Sequence, residues 1–281
     1  SLKNYKKAIE CYDKATKIDP KSEAPWYNKG LGYFHLANYK KAIECYDKAT
    51  KLNSKHDNVW NNKGLSYLNH ENYKESIACF AKAIKIDPNN PHPWYNKGLS
   101  YYALNNHKKA IECCDKAIEI DPKYVEAWFY KGLANGKYQN YKQAIACYDK
   151  VTKLNPKNEN AWFWKGDSYH NIKNYKKAIA CYDKFLKINP KDSDTWTEQG
   201  LSYRKLNNNE KAIECYDKAT KLNPKNENAW FGKGWAHDDL GNHKKAIVCF
   251  DKVTEINPKW DGAWLNKGWA YSKLGNQKQA I

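Results

Sequence analysis

The stretch Trp26-Tyr27-Asn28-Lys29-Gly30 decides the fold, because it returns 34 residues later as Trp60-Asn61-Asn62-Lys63-Gly64 and again as Trp94-Tyr95-Asn96-Lys97-Gly98. The tryptophan keeps this interval through Trp128, Trp162, Trp196, Trp230 and Trp264, and no insertion shifts the register. A fixed period of this length marks a supersecondary unit that buries its apolar face only against its neighbours.

With each of these tryptophans numbered as position 4 of its unit, position 8 is glycine in every copy from Gly30 to Gly268. Position 11 is tyrosine except at Asn135 and His237, and position 16 is asparagine from Asn4 to Asn276. Position 20 is small, position 24 is mostly Tyr or Phe, position 27 is mostly Ala, and position 32 is proline except at Ser54. Positions 4, 8 and 11 follow the i, i+4, i+7 spacing of one helical stripe, and positions 20, 24 and 27 repeat it on a second helix. The asparagine at position 16 stands where it can accept a hydrogen bond from the exposed amides of the second helix, so it is predicted to be an N-cap. An Asp or Asn before the proline ends that helix, since the residue before proline avoids the helical region. Glycine at position 8 and the small residue at position 20 leave room for the two backbones to approach. Each unit is expected to be a helical hairpin.

These residues resemble the tetratricopeptide repeat, whose pattern is Trp, Gly, Tyr, then Ala, an aromatic, Ala and Pro at the same spacings. The phrase Ala42-Ile43-Glu44-Cys45-Tyr46-Asp47-Lys48-Ala49 is similar to the simple tandem arrays of bacteria and archaea. The resemblance implies an all-α fold, an α-solenoid of hairpins forming a right-handed superhelix with the first helices lining its concave side. It also implies a non-catalytic scaffold for protein–protein interaction.

Residues 1–281 are read as a single array: a second helix in 1–22, complete repeats at 23–56, 57–90, 91–124, 125–158, 159–192, 193–226 and 227–260, and a partial repeat in 261–281. Neither end carries the polar capping helix that solenoids use, so the expectation is a piece of a longer array. The two ends are complementary, which predicts end-to-end self-association, Ala8, Tyr12 and Ala15 of one molecule meeting Trp264 and Tyr271 of the next. Mean hydropathy is −0.97, with no apolar run of membrane-spanning length.

Eight of the nine cysteines occupy position 23. Equivalent points on stacked helices stand about 10 Å apart, too far for a disulfide, which needs Cα atoms within about 7 Å. Paired Cys spacings with companion histidines are absent, so no metal site and no cofactor is expected. Free thiols point to a reducing, cytoplasmic compartment. The net charge of +17 raises nucleic-acid binding as a third functional reading. However, lysines crowd positions 18 and 19, such as Lys40, Lys41, Lys108 and Lys109, on the second helix. A solvated outer face is preferred there over a phosphate-binding one. Lysine at position 7, as in Lys29 and Lys63, is expected to pair with aspartate at position 25, as in Asp13 and Asp47.

Binding is sought on positions 2, 6, 9 and 13, a stripe of the first helix turned about 200° away from the Trp–Gly–Tyr stripe. Asn28, Asn62 and Asn96 fill position 6 in three consecutive copies, and Asn266 returns there in the last. A primary amide matches both the N–H and C=O groups of an extended peptide. The resemblance supplies a parallel: asparagine ladders in the O-linked N-acetylglucosamine transferase and the peroxisomal import receptor grip peptide backbone. Aromatic and charged residues complete the candidate set: Tyr27, Tyr95, Tyr130, Trp164, Glu198, Trp235, Asp238, Asp239 and Trp269. The groove positions hold acids at Glu126, Asp167, Asp194, Glu198, Asp238 and Asp239 against bases at Lys137, Arg204, Lys205 and Lys273. Neutral to basic segments are therefore favoured partners, and acidic chaperone tails are disfavoured because Lys and Arg are missing from positions 2, 5 and 6. No catalytic motif appears.

Overall fold

The computed structural model of the protein describes residues 2–275, with side chains from Asn4 onward. Asn276 and Ala280, read as the cap and small residue of a further second helix, lie outside the described residues. The described residues are helical throughout and form two compact units, 1–140 and 141–281. The first unit holds α1 (Leu2–Ile18), α2 (Glu23–His35), α3 (Tyr39–Leu52), α4 (Asp57–Asn69), α5 (Tyr73–Ile86), α6 (Pro91–Ala103), α7 (His107–Ile120) and α8 (Val125–Lys137). The second holds α9 (Tyr141–Leu154), α10 (Glu159–Asn171), α11 (Tyr175–Ile188), α12 (Ser193–Lys205), α13 (Asn209–Leu222), α14 (Glu227–Asp239), α15 (His243–Ile256) and α16 (Asp261–Lys273).

Within each unit the helices form antiparallel hairpins, first helix on second, and each second helix packs on the first helix of the next repeat. Neighbouring first helices also touch, α2 with α4 and α6 with α8 in one unit, α10 with α12 and α12 with α14 in the other. The core of each hairpin is the predicted pair of stripes: Ala42, Tyr46 and Ala49 are fully buried and pack with Trp26 and Tyr33. The position 24 ring lies across the position 8 glycine, so the space the sequence reserved for two backbones is filled by an aromatic face. A Cβ on Gly30 would stand 2.5 Å from Tyr46 Cε1.

The asparagine at position 16 caps its helix at Asn38, Asn106, Asn174 and Asn208, accepting from the backbone N–H three residues on at 3.2–3.3 Å. Asn72 and Asn242 precede their helices without such a bond. Asn4 departs from the expectation: α1 already begins at Leu2, which places Asn4 inside the helix. Elsewhere the chain is broken one residue before the cap by a left-handed residue at position 15. Ala37, Glu71, Asn105, Gln139, Lys173 and Asn207 have φ of 55–62°, and Gly241 and Gly275 have 74°. The counterpart Lys3 is helical, so nothing interrupts α1 before Asn4.

Two further bonds stitch the repeats together. The position 31 side chain accepts from the backbone N–H two residues on, as in Asn53 from Lys55 at 3.1 Å, which is an Asx turn. From Trp60 to Trp264 each repeat tryptophan donates its indole N–H to the carbonyl at position 32, over 2.9–3.2 Å. The tryptophans are consequently brackets on the inter-repeat loop, half-buried except for Trp60, which is buried, and Trp264, which is exposed.

Candidate functional site

Inter-repeat ion pairs engage six of the lysines at position 7. Lys29 pairs with Asp13, Lys63 with Asp47, Lys131 with Asp115, Lys165 with Asp149, Lys233 with Asp217 and Lys267 with Asp251, as the spacing predicts. Each ammonium also lies over its own tryptophan, Lys63 4.9 Å from the Trp60 centroid. Gln199 takes the place of lysine in one repeat and donates to Asp183 at 2.6 Å. Lys97 faces Ala81 instead of an aspartate and keeps only its contact with Trp94, 5.7 Å from the ring.

The cysteines are equally withdrawn. All nine are unbridged, and all but Cys11 are buried. Burial pushes the thiols of Cys45, Cys79, Cys113, Cys181 and Cys249 up to about 11 and that of Cys215 up to about 12. Among the described residues no group of three His, Cys, Asp or Glu is placed to hold a metal ion. No described helix is long and apolar enough to cross a membrane. Lys40, Lys41, Lys108 and Lys109 are exposed on the second helices.

The predicted stripe lies along the neighbouring first helices of each unit, and its members reach one another with a period of 35 residues. Asn62 donates to the Tyr27 hydroxyl at 3.0 Å, and Asn96 donates to Asn61 Oδ1 at 3.0 Å. Tyr95 meets the edge of Tyr130 at 5.7 Å. Position 6 of one repeat therefore leans on position 5 of the repeat before. Asn28 is half-buried without a side-chain hydrogen bond among the described residues, while Asn266 is buried and turns back to the Gly262 carbonyl at 2.6 Å. Asn62, half-buried, commits one N–H and keeps a carbonyl oxygen and a second N–H for another partner, whereas Asn96 is buried.

In the second unit the acids at positions 12 and 13 are held internally. Asp238 accepts from His243 Nδ1 at 2.6 Å and from Lys273 at 2.7 Å. Burial pushes its carboxyl up, but these two bonds outweigh it and bring the group below the ordinary carboxylate range. Asp239 pairs with Arg204 at 3.3 Å, and the Arg204 guanidinium lies 5.1 Å from the Trp235 ring centre. Trp164 is half-buried beside Phe163, and Trp269 is exposed. Glu198 sits half-buried on α12, its carboxyl raised by burial and by the negative charges of Asp167 and Asp194. The helical period located these residues, but it carried no information on which of them would satisfy one another across adjacent helices.

Comparison with known proteins agrees with the repeat fold. Family models described as tetratricopeptide repeat match residues 24–56, 58–90, 93–124, 227–259, 113–146 and 261–281, and a further model described as TPR repeat matches 1–36 and 200–241. Residues 137–219 match the model for subunit 3 of the anaphase-promoting complex, cyclosome. No protein with a curated description matches the sequence. Among solved structures, the C-terminal part of a TPR repeat-containing protein from Cytophaga hutchinsonii superposes with a TM-score of 0.74 at 15% identity, covering 84% of this chain and 97% of that one. YrrB, described as a TPR protein with an unusual peptide-binding site, gives a TM-score of 0.59 at 21% identity, covering 66% and 95%. Cut9 in its complex with Hcn1 gives 0.58 at 17%, covering 95% and 52%.

Proposed function

Because the chain belongs to the tetratricopeptide-repeat family, a family of protein–protein interaction scaffolds, we propose that it binds extended peptide segments along the first-helix face of its repeats, without catalysis. The observation that carries this reading is the row of position 6 amides on α2, α4 and α6. Asn28 has no side-chain hydrogen bond among the described residues and Asn62 is half-buried and half-engaged, so these two offer donors and acceptors to a peptide backbone, while Asn96 is buried and braces the row through Asn61. Side-chain preference then comes from the rings of Tyr130 and Trp164 and from the acids of the second unit. Partners are neutral to basic segments.

A peptide array tests this. Asn62→Ala combined with Asn96→Ala is expected to weaken every peptide, and Trp164→Ala to change which peptides are preferred. A double variant that binds as well as the parent sinks the amide reading. End-to-end assembly is a second reading, in which Ala8, Tyr12 and Ala15 of one molecule meet Trp264 and Tyr271 of the next. It is checked by whether sedimentation depends on concentration.

A further inference from the structure

Asp238 and Asp239 carry internal cations, and Asp194 accepts from Asn226 at 3.1 Å. Glu198 differs from them. Its carboxylate has neither an ion pair nor a hydrogen bond among the described residues, and the charges acting on it, Asp167 and Asp194, are both negative. A partly buried carboxylate among like charges is disfavoured unless a cation joins it.

Beneath it lies a second unmet group. Tyr182 is fully buried, its ring spread over Gly166, and its hydroxyl has no hydrogen-bond partner among the described residues. Its counterpart one repeat on, Tyr216, shows where that hydroxyl points. A Cβ on Gly232 would stand 2.7 Å from the Tyr216 hydroxyl, and Gly232 occupies the register position of Glu198. Glu198 carries a Cβ where Gly232 has none, so the Tyr182 ring is held further back than that of Tyr216 while facing the same register position, and Glu198 and Asp167 are the leading charges upon its hydroxyl.

The chain itself shows what fits such a place. At the Tyr216 junction the Arg204 guanidinium lies beside the hydroxyl and is the strongest influence on it after burial, while covering Trp235 at 5.1 Å and reaching Asp239 at 3.3 Å. At the Tyr182 junction the counterpart of Arg204 is His170, whose Nδ1 is turned to Ser202 at 2.8 Å. The position held by a guanidinium in one repeat is therefore without one in the repeat before.

We propose that Glu198, Asp194 and the Tyr182 hydroxyl form a socket for an arginine side chain carried by an extended segment on the first-helix face, an inference that rests on the peptide-binding reading. The planar guanidinium has donors enough to bridge two carboxylates and the tyrosine oxygen, and Trp164 at the same register offers it a ring. The Tyr182 hydroxyl then accepts from the guanidinium and donates to Glu198. A metal ion suits the place less well, because among the described residues no group of three His, Cys, Asp or Glu is placed to hold one.

Two measurements on the whole chain separate the socket from the peptide reading. In the first, N-acetyl-arginine amide and its neutral citrulline counterpart are titrated while the Glu198 carboxyl ¹³C resonance is followed. Arginine is expected to shift it saturably and citrulline to leave it still; equal responses overturn the socket. In the second, peptide arrays are read with Glu198→Gln and Tyr182→Phe. Peptides bearing arginine should bind about tenfold more weakly to Glu198→Gln and several-fold more weakly to Tyr182→Phe, with arginine-free peptides unchanged. Arrays that bind with an intact arginine preference in Glu198→Gln overturn the socket and leave the peptide reading standing. Blank arrays beside a saturable arginine titration overturn the peptide reading and support the socket.

Discussion

Gly64 and Phe80 are packed so closely that a Cβ on Gly64 would stand 2.6 Å from Phe80 Cε1. A phenyl ring enclosed in a hairpin core cannot retreat without disturbing its neighbours.

Gly64→Ala is therefore expected to cost about 1–3 kcal/mol by overpacking. Gly98→Ala should cost clearly less, because its position 24 partner is Cys114, whose Sγ would be 3.2 Å from the new methyl. Urea midpoints of the two variants check the ordering, and equal losses would refute it.

Lys97 is the position 7 lysine that faces alanine where its counterparts face aspartate. Ala81→Asp, on an exposed site, should supply the missing pair and stabilise the protein by about 0.2–1 kcal/mol. High salt should erase much of the gain, since exposed pairs are screened. A thermal midpoint that does not rise at low salt rejects this account.

Lys173 holds a left-handed backbone at φ 62°, a conformation that glycine adopts without steric cost. Lys173→Gly is expected to stabilise by up to about 1 kcal/mol, whereas Asn105→Gly at the equivalent turn should change little, because asparagine already tolerates this region. Chemical denaturation of the two variants side by side reads the difference.

Glu198 gives a pH-dependent expectation. A carboxyl raised in the folded state contributes stability that is present below its ordinary pKa and lost as pH rises through the raised one. Glu198→Gln should thus raise the thermal midpoint at neutral pH, with the advantage vanishing in acid. Asp238, lowered by its bonds from Lys273 and His243, has the opposite sign: its contribution is present at neutral pH and lost as pH falls through the lowered value.

The hairpins, their two stripes and four of the position 16 caps were legible because the residues that make them stand within one helix, at a fixed spacing. The turn at position 15 was not, since Ala37, Glu71, Gln139 and Lys173 give no glycine signal there. The indole bond of Trp60 to Ser54 needs the loop geometry before it can be drawn. Asp238 and Asp239 look alike in sequence to the free Glu198, and only the crossing of adjacent helices shows that Lys273 and Arg204 reach them. Chemical type was readable, and partner choice was tertiary.

The cysteines at position 23 place one shielded sulfur in each of the seven full repeats, while Cys11 stands in the open. A thiol reagent would modify Cys11 at once and would wait for each other site until its own hairpin loosened. The suppressed ionisation of Cys45, Cys79, Cys113, Cys181, Cys215 and Cys249 slows the background further. The chain carries, in effect, a row of independent clocks, and the order in which they stop would trace how opening spreads from repeat to repeat.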